Sequence, residues 1–283
     1  MNGVDGVNTD WVDFGKWMND ALLSDVGQLP QSVIDEVKVL TKEAITQREK
    51  AKIVYEFMQD RSRYISVQVG IGGWKPIEAQ KVHEVAYGDC KGLSNYTKAL
   101  LNEVGIQSHH AIIYGDRNIR SVDKDFSSTQ GNHMILYVPK LDEEEDIWLE
   151  CTSKTNPFGY IAGWTDDRDA LVISEEGGRI LHTTVYETKD NLQQSTAQIA
   201  LDKEGGATAS IEMKTSGYQY SFREGLNKKS EKDLKEMYTY FWSHLNAVTI
   251  SDTDIINDKE LIEVQEKVSL TVEKYGSKTG DLL

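Results

Sequence analysis

Two cysteines in 283 residues are too few for a disulfide framework, and neither stands in a C-x-x-C pair of the kind that holds zinc or a redox dithiol. Cys90 and Cys151 could pair with each other, so no compartment follows from them. Long apolar runs are also missing. Nothing is long enough to cross a bilayer, and Met1-Asn2-Gly3-Val4-Asp5 opens with neither a basic n-region nor an apolar h-region, so the chain reads as soluble and without an export signal. Basic residues are scarce: 31 Lys and Arg face 46 Asp and Glu, for a formal net charge of -15. Phosphate backbones and anionic membranes are recognised by concentrated Lys and Arg, so neither nucleic acid nor an acidic lipid surface is an expected partner. No internal repeat is present. The glycines of Gly70-Ile71-Gly72-Gly73-Trp74-Lys75-Pro76 do not make a phosphate loop, because the Lys-Ser/Thr pair and the following helix are absent. No cofactor motif or metal-ligand set is seen, and none is expected.

What is there reads as a globular chain, 39% hydrophobic and 27% charged, with room for two domains. Residues 1–10 form a loose lead-in. Trp11, Phe14, Trp17, Met18, Leu22 and Leu23 then recur with helical spacing up to Gly27-Gln28-Leu29-Pro30, and a second helix is predicted over Gln31 to Leu40. Thr41-Lys42-Glu43-Ala44 has the spacing of a cap leading into a third helix, Gln47 to Arg61, with Ile53, Val54, Phe57 and Met58 facing inward. Three such helices would form a bundle in front of the helix that begins at Cys90. Tyr64 to Val69 is β-prone, the glycine segment after it reads as a surface loop, and Glu78 to Val85 suits a short helix.

The segment from Tyr87 to Ile106 organises the rest. Gly88-Asp89 breaks the chain, Cys90 comes at once after it, and Leu93, Tyr96, Leu100, Leu101 and Val104 mark one helix face until Gly105 ends it. Cys90 therefore sits at a helix N-terminus, where unpaired N–H groups and the helix dipole favour the thiolate. Three strand-like runs come next: His109 to Tyr114, Gly131 to Val138 and Asp146 to Thr152. The acidic stretch between the last two, Pro139 to Asp146, reads as a solvated hairpin tip without the alternating spacing of a calcium loop. Helices followed by antiparallel strands predict an α+β fold, with a core over residues 11–180. Residues 181–283 read as a smaller, mainly β domain with one helix from Ser230 to about Leu245. It contains no reactive cluster, and Lys278 to Leu283 is consistent with truncation.

A buried cysteine alone is ordinarily inert. What sets Cys90 apart is the order Cys90, then His133 on one predicted strand, then Glu150 on the next. A thiol needs an imidazole within reach to take its proton, and the imidazole needs an acceptor on its other nitrogen to fix its tautomer. On its own, His133 on an otherwise apolar strand reads as a satisfied core histidine rather than a catalytic one. Asp89 is most simply a helix N-cap whose charge opposes a thiolate at Cys90, and Lys91 reads as an exposed surface lysine. His109 and His110 face opposite sides of a strand, which argues against a shared metal, and Cys151 should be buried on the face opposite Glu150. Trp74 and Trp164, in glycine-containing loops, are candidates to line a substrate groove. Gln68, Trp74 and His83 are candidates for a second oxyanion donor beside the Cys90 backbone N–H.

Gly88-Asp89-Cys90-Lys91, Asn132-His133 and Trp148-Leu149-Glu150-Cys151-Thr152 together resemble the transglutaminase-like superfamily of papain-fold cysteine enzymes. Trp11 to Trp17, Arg63-Tyr64 and Gly70 to Pro76 are similar to Bacteroidetes-type proteins of unknown function that carry this core behind an N-terminal β-rich domain. The resemblance covers roughly Trp11 to Ile173 and more loosely the region after it. It implies a papain-like core, a periplasmic or cell-envelope location and a fragment lacking the upstream domain. It also implies Cys90 as nucleophile, His133 as base and Glu150 as orienting acid, acting on an amide in a peptide, protein or cell-wall fragment. Glu150 departs from the family, which mostly carries Asp at this place. That departure leaves open the alternative of an inactive scaffold that binds a peptide or an envelope partner.

Overall fold

In a computed structural model the described residues are 6, 8–67, 70–142 and 145–277. Most of the predicted lead-in, with Gln68, Val69 and the last six residues, lies outside them. The chain divides into two compact units, Met1–Val185 and Tyr186–Leu283. Both mix helices with antiparallel sheet, so the fold is α+β. No helix among the described residues is long and apolar enough to cross a membrane.

The first unit opens with α1, Trp11–Met18, capped by Asp10, whose carboxylate accepts from Asp13 N at 2.9 Å. One π-helical turn, Asn19–Leu23, continues it. Next come α2, Gln31–Leu40, and α3, Gln47–Arg61. The predicted cap at Thr41 is corrected here. Thr41 closes α2 by donating its hydroxyl to Val37 O at 2.8 Å, and α3 starts from a capping box formed by Thr46 and Glu49. The inward face of α3 holds the expected Val54 and Met58, with Phe57 packed on the same core, and extends to Tyr55 and Gln59. Val54 and Met58 are buried with Tyr55, while Ile53 and Phe57 are half-buried. Hydrogen bonds hold the two added side chains: Tyr55 Oη donates to Glu150 O at 2.8 Å, and Gln59 Nε2 donates to Ser153 O and Asn156 O.

The expected strand after α3 is only the two-residue β1, Arg63–Tyr64, which pairs in parallel with β2, Tyr87–Gly88. Between them a 3₁₀ turn, Gly70–Gly73, precedes α4, Ala79–Val85. Helix α5, Cys90–Glu103, is buried on nearly every side. After it, β3 (His109–Ile113), β4 (His133–Val138), β5 (Ile147–Leu149), β6 (Asp169–Ser174) and β7 (Gly177–His182) form an antiparallel sheet in the order β5-β4-β3-β6-β7. β6 and β7 are not singled out by the local sequence pattern, and the boundary expected after residue 180 falls inside β7.

The three leading helices do not form one bundle. Helices α2 to α4 pack around α5, where Val37, Val54, Met58, Val82, Leu93 and Leu100 meet Leu136 and Leu149 of the sheet. Helix α1 instead builds a separate cluster, in which Trp11, Phe14, Met18 and Leu22 pack on Leu171 and Ile173. Glycine makes this close contact possible. A Cβ on Gly15 would lie 2.2 Å from Gly178 Cα, and one on Gly178 would lie 2.2 Å from Trp11 O. The periodicity of α1 shows that it has an inner face, but the partner of that face is chosen by the glycines of β7.

The second unit pairs β8 (Gln193–Leu201), β9 (Ala207–Ser216), β10 (Val248–Asp258) and β11 (Glu263–Val272) in the order β10-β11-β9-β8. A short helix α6, Tyr218–Ser221, and the longer α7, Glu231–Phe241, lie between β9 and β10. Leu234, Tyr238 and Trp242 close on Met213, Val268 and Leu270 to form this unit's own core.

Candidate functional site

Cys90 is the first residue of α5, and its position follows from the local chemistry of the break before it. Asp89 is extended and its Oδ1 accepts from Gly92 N at 2.9 Å, which starts the helix. Asp89 is buried, and Lys91, expected at the surface, is buried beside it in an ion pair with its other oxygen. A buried carboxylate without a countercharge would be costly, so Asp89 draws the lysine inward. The acidic charge next to Cys90 is thereby balanced within the same turn of helix.

β4 begins at His133, opposite Ile113 of β3. Asn132 positions this strand end by pairing with the backbone of Gly115, accepting from its N–H at 2.8 Å. A Cβ on Gly115 would lie 3.1 Å from His133 Cβ and 2.8 Å from Trp164 Nε1, so only glycine lets both rings approach this turn. Glu150 follows the last residue of β5, where Leu149 pairs with Leu136. The adjacent strands therefore bring the two side chains together, and His133 Nε2 lies 2.9 Å from Glu150 Oε2. The other carboxylate oxygen, Oε1, accepts from Thr152 N at 3.1 Å and Thr152 Oγ1 at 2.5 Å. Tyr55 holds the Glu150 carbonyl from α3. With Nε2 committed to Glu150, Nδ1 is the ring nitrogen left over, and His133 lines one cavity with Cys90.

Both partners are almost excluded from water, with side chains 11% and 5% exposed. Burial by itself would pull the His133 pKa down, but the Glu150 charge and the hydrogen bonds to Cys90 and Glu150 raise it to about 10. Burial likewise disfavours the Glu150 carboxylate. His133 and the hydrogen bonds from His133 and Thr152 outweigh that and hold its pKa below the usual value. The result is a charged pair, imidazolium and carboxylate, in a low-dielectric site. Such an imidazole has a fixed orientation and carries a proton at neutral pH.

A cavity of about 360 Å³ opens on this site, lined by Cys90, Lys91, His133, Met18, Ile112 and Trp74 among others. Trp74 thus lies in the cavity with the cysteine. Trp164, 45% exposed, lies next to His133 across Gly115. His83 is held elsewhere, because α4 turns its ring onto α5: Nδ1 is 2.8 Å from Tyr96 Oη and Nε2 is 3.1 Å from Arg61. Gln68 lies outside the described residues. Cys151 is a second free thiol, fully buried, and burial pushes its pKa up to about 12. No group of side chains among the described residues is arranged to hold a metal ion.

Three supports of the site have no local sequence signal of their own. Tyr55 reads as part of an amphipathic helix, and Gly115 as an ordinary loop glycine. The third, Arg168, is fully buried and donates to Tyr114 O, Asp116 O and Asp166 O, tying the loops behind His133 together. A charged residue at the head of an apolar strand is the only trace it leaves in the sequence.

The fold is α+β; Cys90 at a helix start and His133 at a strand start line one cavity, and Glu150 lies against His133. No family model matches the chain, and no curated protein matches it. A solved structure described as "a putative protease from Parabacteroides distasonis" aligns at a TM-score of 0.44 and 12% identity, covering 92% of this chain and 53% of that one. The chain therefore spans about half the length of that neighbour.

Proposed function

We propose that the chain is a cysteine hydrolase or acyltransferase that attacks an amide in a peptide, protein or cell-wall fragment through Cys90, His133 and Glu150. The observation that carries the reading is the 2.9 Å contact between His133 Nε2 and Glu150 Oε2, with His133 lining one cavity together with Cys90. In the reaction the Cys90 sulfur forms a bond to the carbonyl carbon, and the thiol proton resides on His133 Nδ1. The tetrahedral oxyanion collapses, the C–N bond breaks, and His133 gives its proton to the leaving amine. Water, activated by the now neutral imidazole, then cleaves the thioester and restores the thiol. Transfer to a second amine in place of water would make the same site an acyltransferase. Glu150 keeps the ring in one tautomer and offsets its charge, a role that either acidic residue can fill.

The Cys90 backbone N–H, at the open end of α5, is one donor to the oxyanion. Trp74 is the candidate for the second, since it lines the cavity with Cys90. The test is release of a fluorogenic amine from a peptide-amide library, with mass spectrometry of the protein to trap the thioester. Cys90→Ala should abolish release and His133→Ala should lower it by ~10³-fold or more. If no member of the library is turned over and Cys90 alkylates equally fast with and without His133, the site is an inert peptide-binding scaffold.

A further inference from the structure

The polar side chains that line the cavity at Cys90 are, apart from Cys90 itself, already held by partners within the protein. Lys91 is paired with Asp89, and His133 Nε2 lies 2.9 Å from Glu150 Oε2. Gln130, at the end of the loop from β3 to β4, accepts from Asp123 N through Oε1 and donates to Phe126 O through Nε2, both at 2.8 Å. Asn132 accepts from Gly115 N at 2.8 Å and donates to Gly115 O at 3.4 Å. Among the described residues, no Asp or Glu lines the cavity.

The rest of the wall is apolar. Trp74 and Ile112, both half-buried, line the cavity together with Met18, and all three belong to the cluster that α1 builds on Leu171 and Ile173. The indole N–H of Trp74 aside, these side chains have no group that can exchange a proton or hold a charge. Three kinds of substrate side chain can be compared against such a wall. A basic one would leave water and find no acid. An acidic one would have to draw Lys91 or His133 away from a buried carboxylate that each already contacts directly. An uncharged apolar one covers Trp74 and Ile112 and gains from every methylene it takes out of water. The volume of about 360 Å³ admits one large side chain of this kind together with the amide beside it.

We propose that Trp74 and Ile112 select the substrate: a residue flanking the attacked amide carries a large, uncharged, apolar side chain such as that of leucine, methionine or phenylalanine. This selectivity rests on the reading of Cys90 as the nucleophile. It narrows the substrate to peptides with an apolar flank, and excludes fragments in which a charged residue stands on each side of the amide.

The test separates binding from chemistry. Blocked tripeptides Ac-Ala-X-Ala-NH2, with X as Leu, Met, Phe, Gly, Asp or Lys, are titrated into Cys90→Ala by calorimetry, so that no turnover interferes. The Leu, Met and Phe peptides should bind at least ~10-fold more tightly than the Gly, Asp and Lys peptides. Trp74→Ala and, as a second variant on another element, Ile112→Ala should each cut the preference for Leu over Gly by ~4-fold or more and leave the Gly peptide unchanged. Equal binding of the Asp or Lys peptide, no preference over Gly, or a preference that survives in both wall variants overturns the proposal. The same peptides are then incubated with the wild type and analysed by mass spectrometry. Apolar preference in binding without cleavage supports the selectivity of the wall and ends the reading of Cys90 as nucleophile, whereas cleavage that ignores X keeps that reading and overturns the selectivity.

Discussion

Replacing Glu150 by Gln removes one charge from the buried pair while keeping the side-chain length and an oxygen that can accept from His133 Nε2. The consequence for stability depends on pH in a way that the two shifts define. His133 rises from 6.5 to about 10 on folding, so its contribution is complete below pH 6.5 and is lost as pH climbs through about 10. Glu150 moves the other way, below 4.5, so its contribution is present above that value and is lost on acidification. The pair therefore stabilises the fold most between pH 4.5 and 6.5. Breaking a buried pair by neutralising one member costs ~3–5 kcal/mol, and the displacement of His133 sets a ceiling of ~5 kcal/mol. At about pH 9.5 roughly a fifth of the histidine's share remains. Urea unfolding followed by tryptophan fluorescence measures this directly, with wild type and Glu150→Gln compared at about pH 6 and about pH 9.5. The wild type should be more stable by ~3 kcal/mol or more at the lower pH and by ~1 kcal/mol at the higher. An equal difference at both would mean that His133 and Glu150 are not charge-coupled, and would remove the electrostatic basis of the proposed site.

Two further outcomes test the scaffold around that pair. Gly178→Ala would put a Cβ 2.2 Å from the Trp11 carbonyl and should force α1 off β7. The expected loss is ~1–3 kcal/mol, read from the denaturant midpoint; an unchanged midpoint would contradict the close packing of α1 on the sheet. Thr46→Ala removes one half of the capping box and should cost ~1 kcal/mol, whereas a loss of that size in Thr41→Ala but not in Thr46→Ala would return the start of α3 to Thr41.

The local pattern of the chain carried the α+β class, the spans of α2, α3 and α5, and the place of Cys90 at a helix start. Each of these depends on near neighbours: apolar residues three or four apart, a break at Gly88-Asp89, a stop at Gly105. The same pattern set Cys90, His133 and Glu150 in an order compatible with a relay. Their distances could not be read from it, because they depend on the register of β4 against β3 and β5. Only the tertiary structure decided that Lys91 turns inward, since the reason is the buried carboxylate of Asp89. Only it seated α1 on β7, where contact between backbones and absent side chains, more than any hydrophobic signal, selects the partner. It also separated Trp74, which shares a cavity with Cys90, from His83, which α4 commits to Tyr96 and Arg61. Sequence spacing reports which face of an element is buried; which other element covers that face is settled by sterics and charge between residues far apart in the chain.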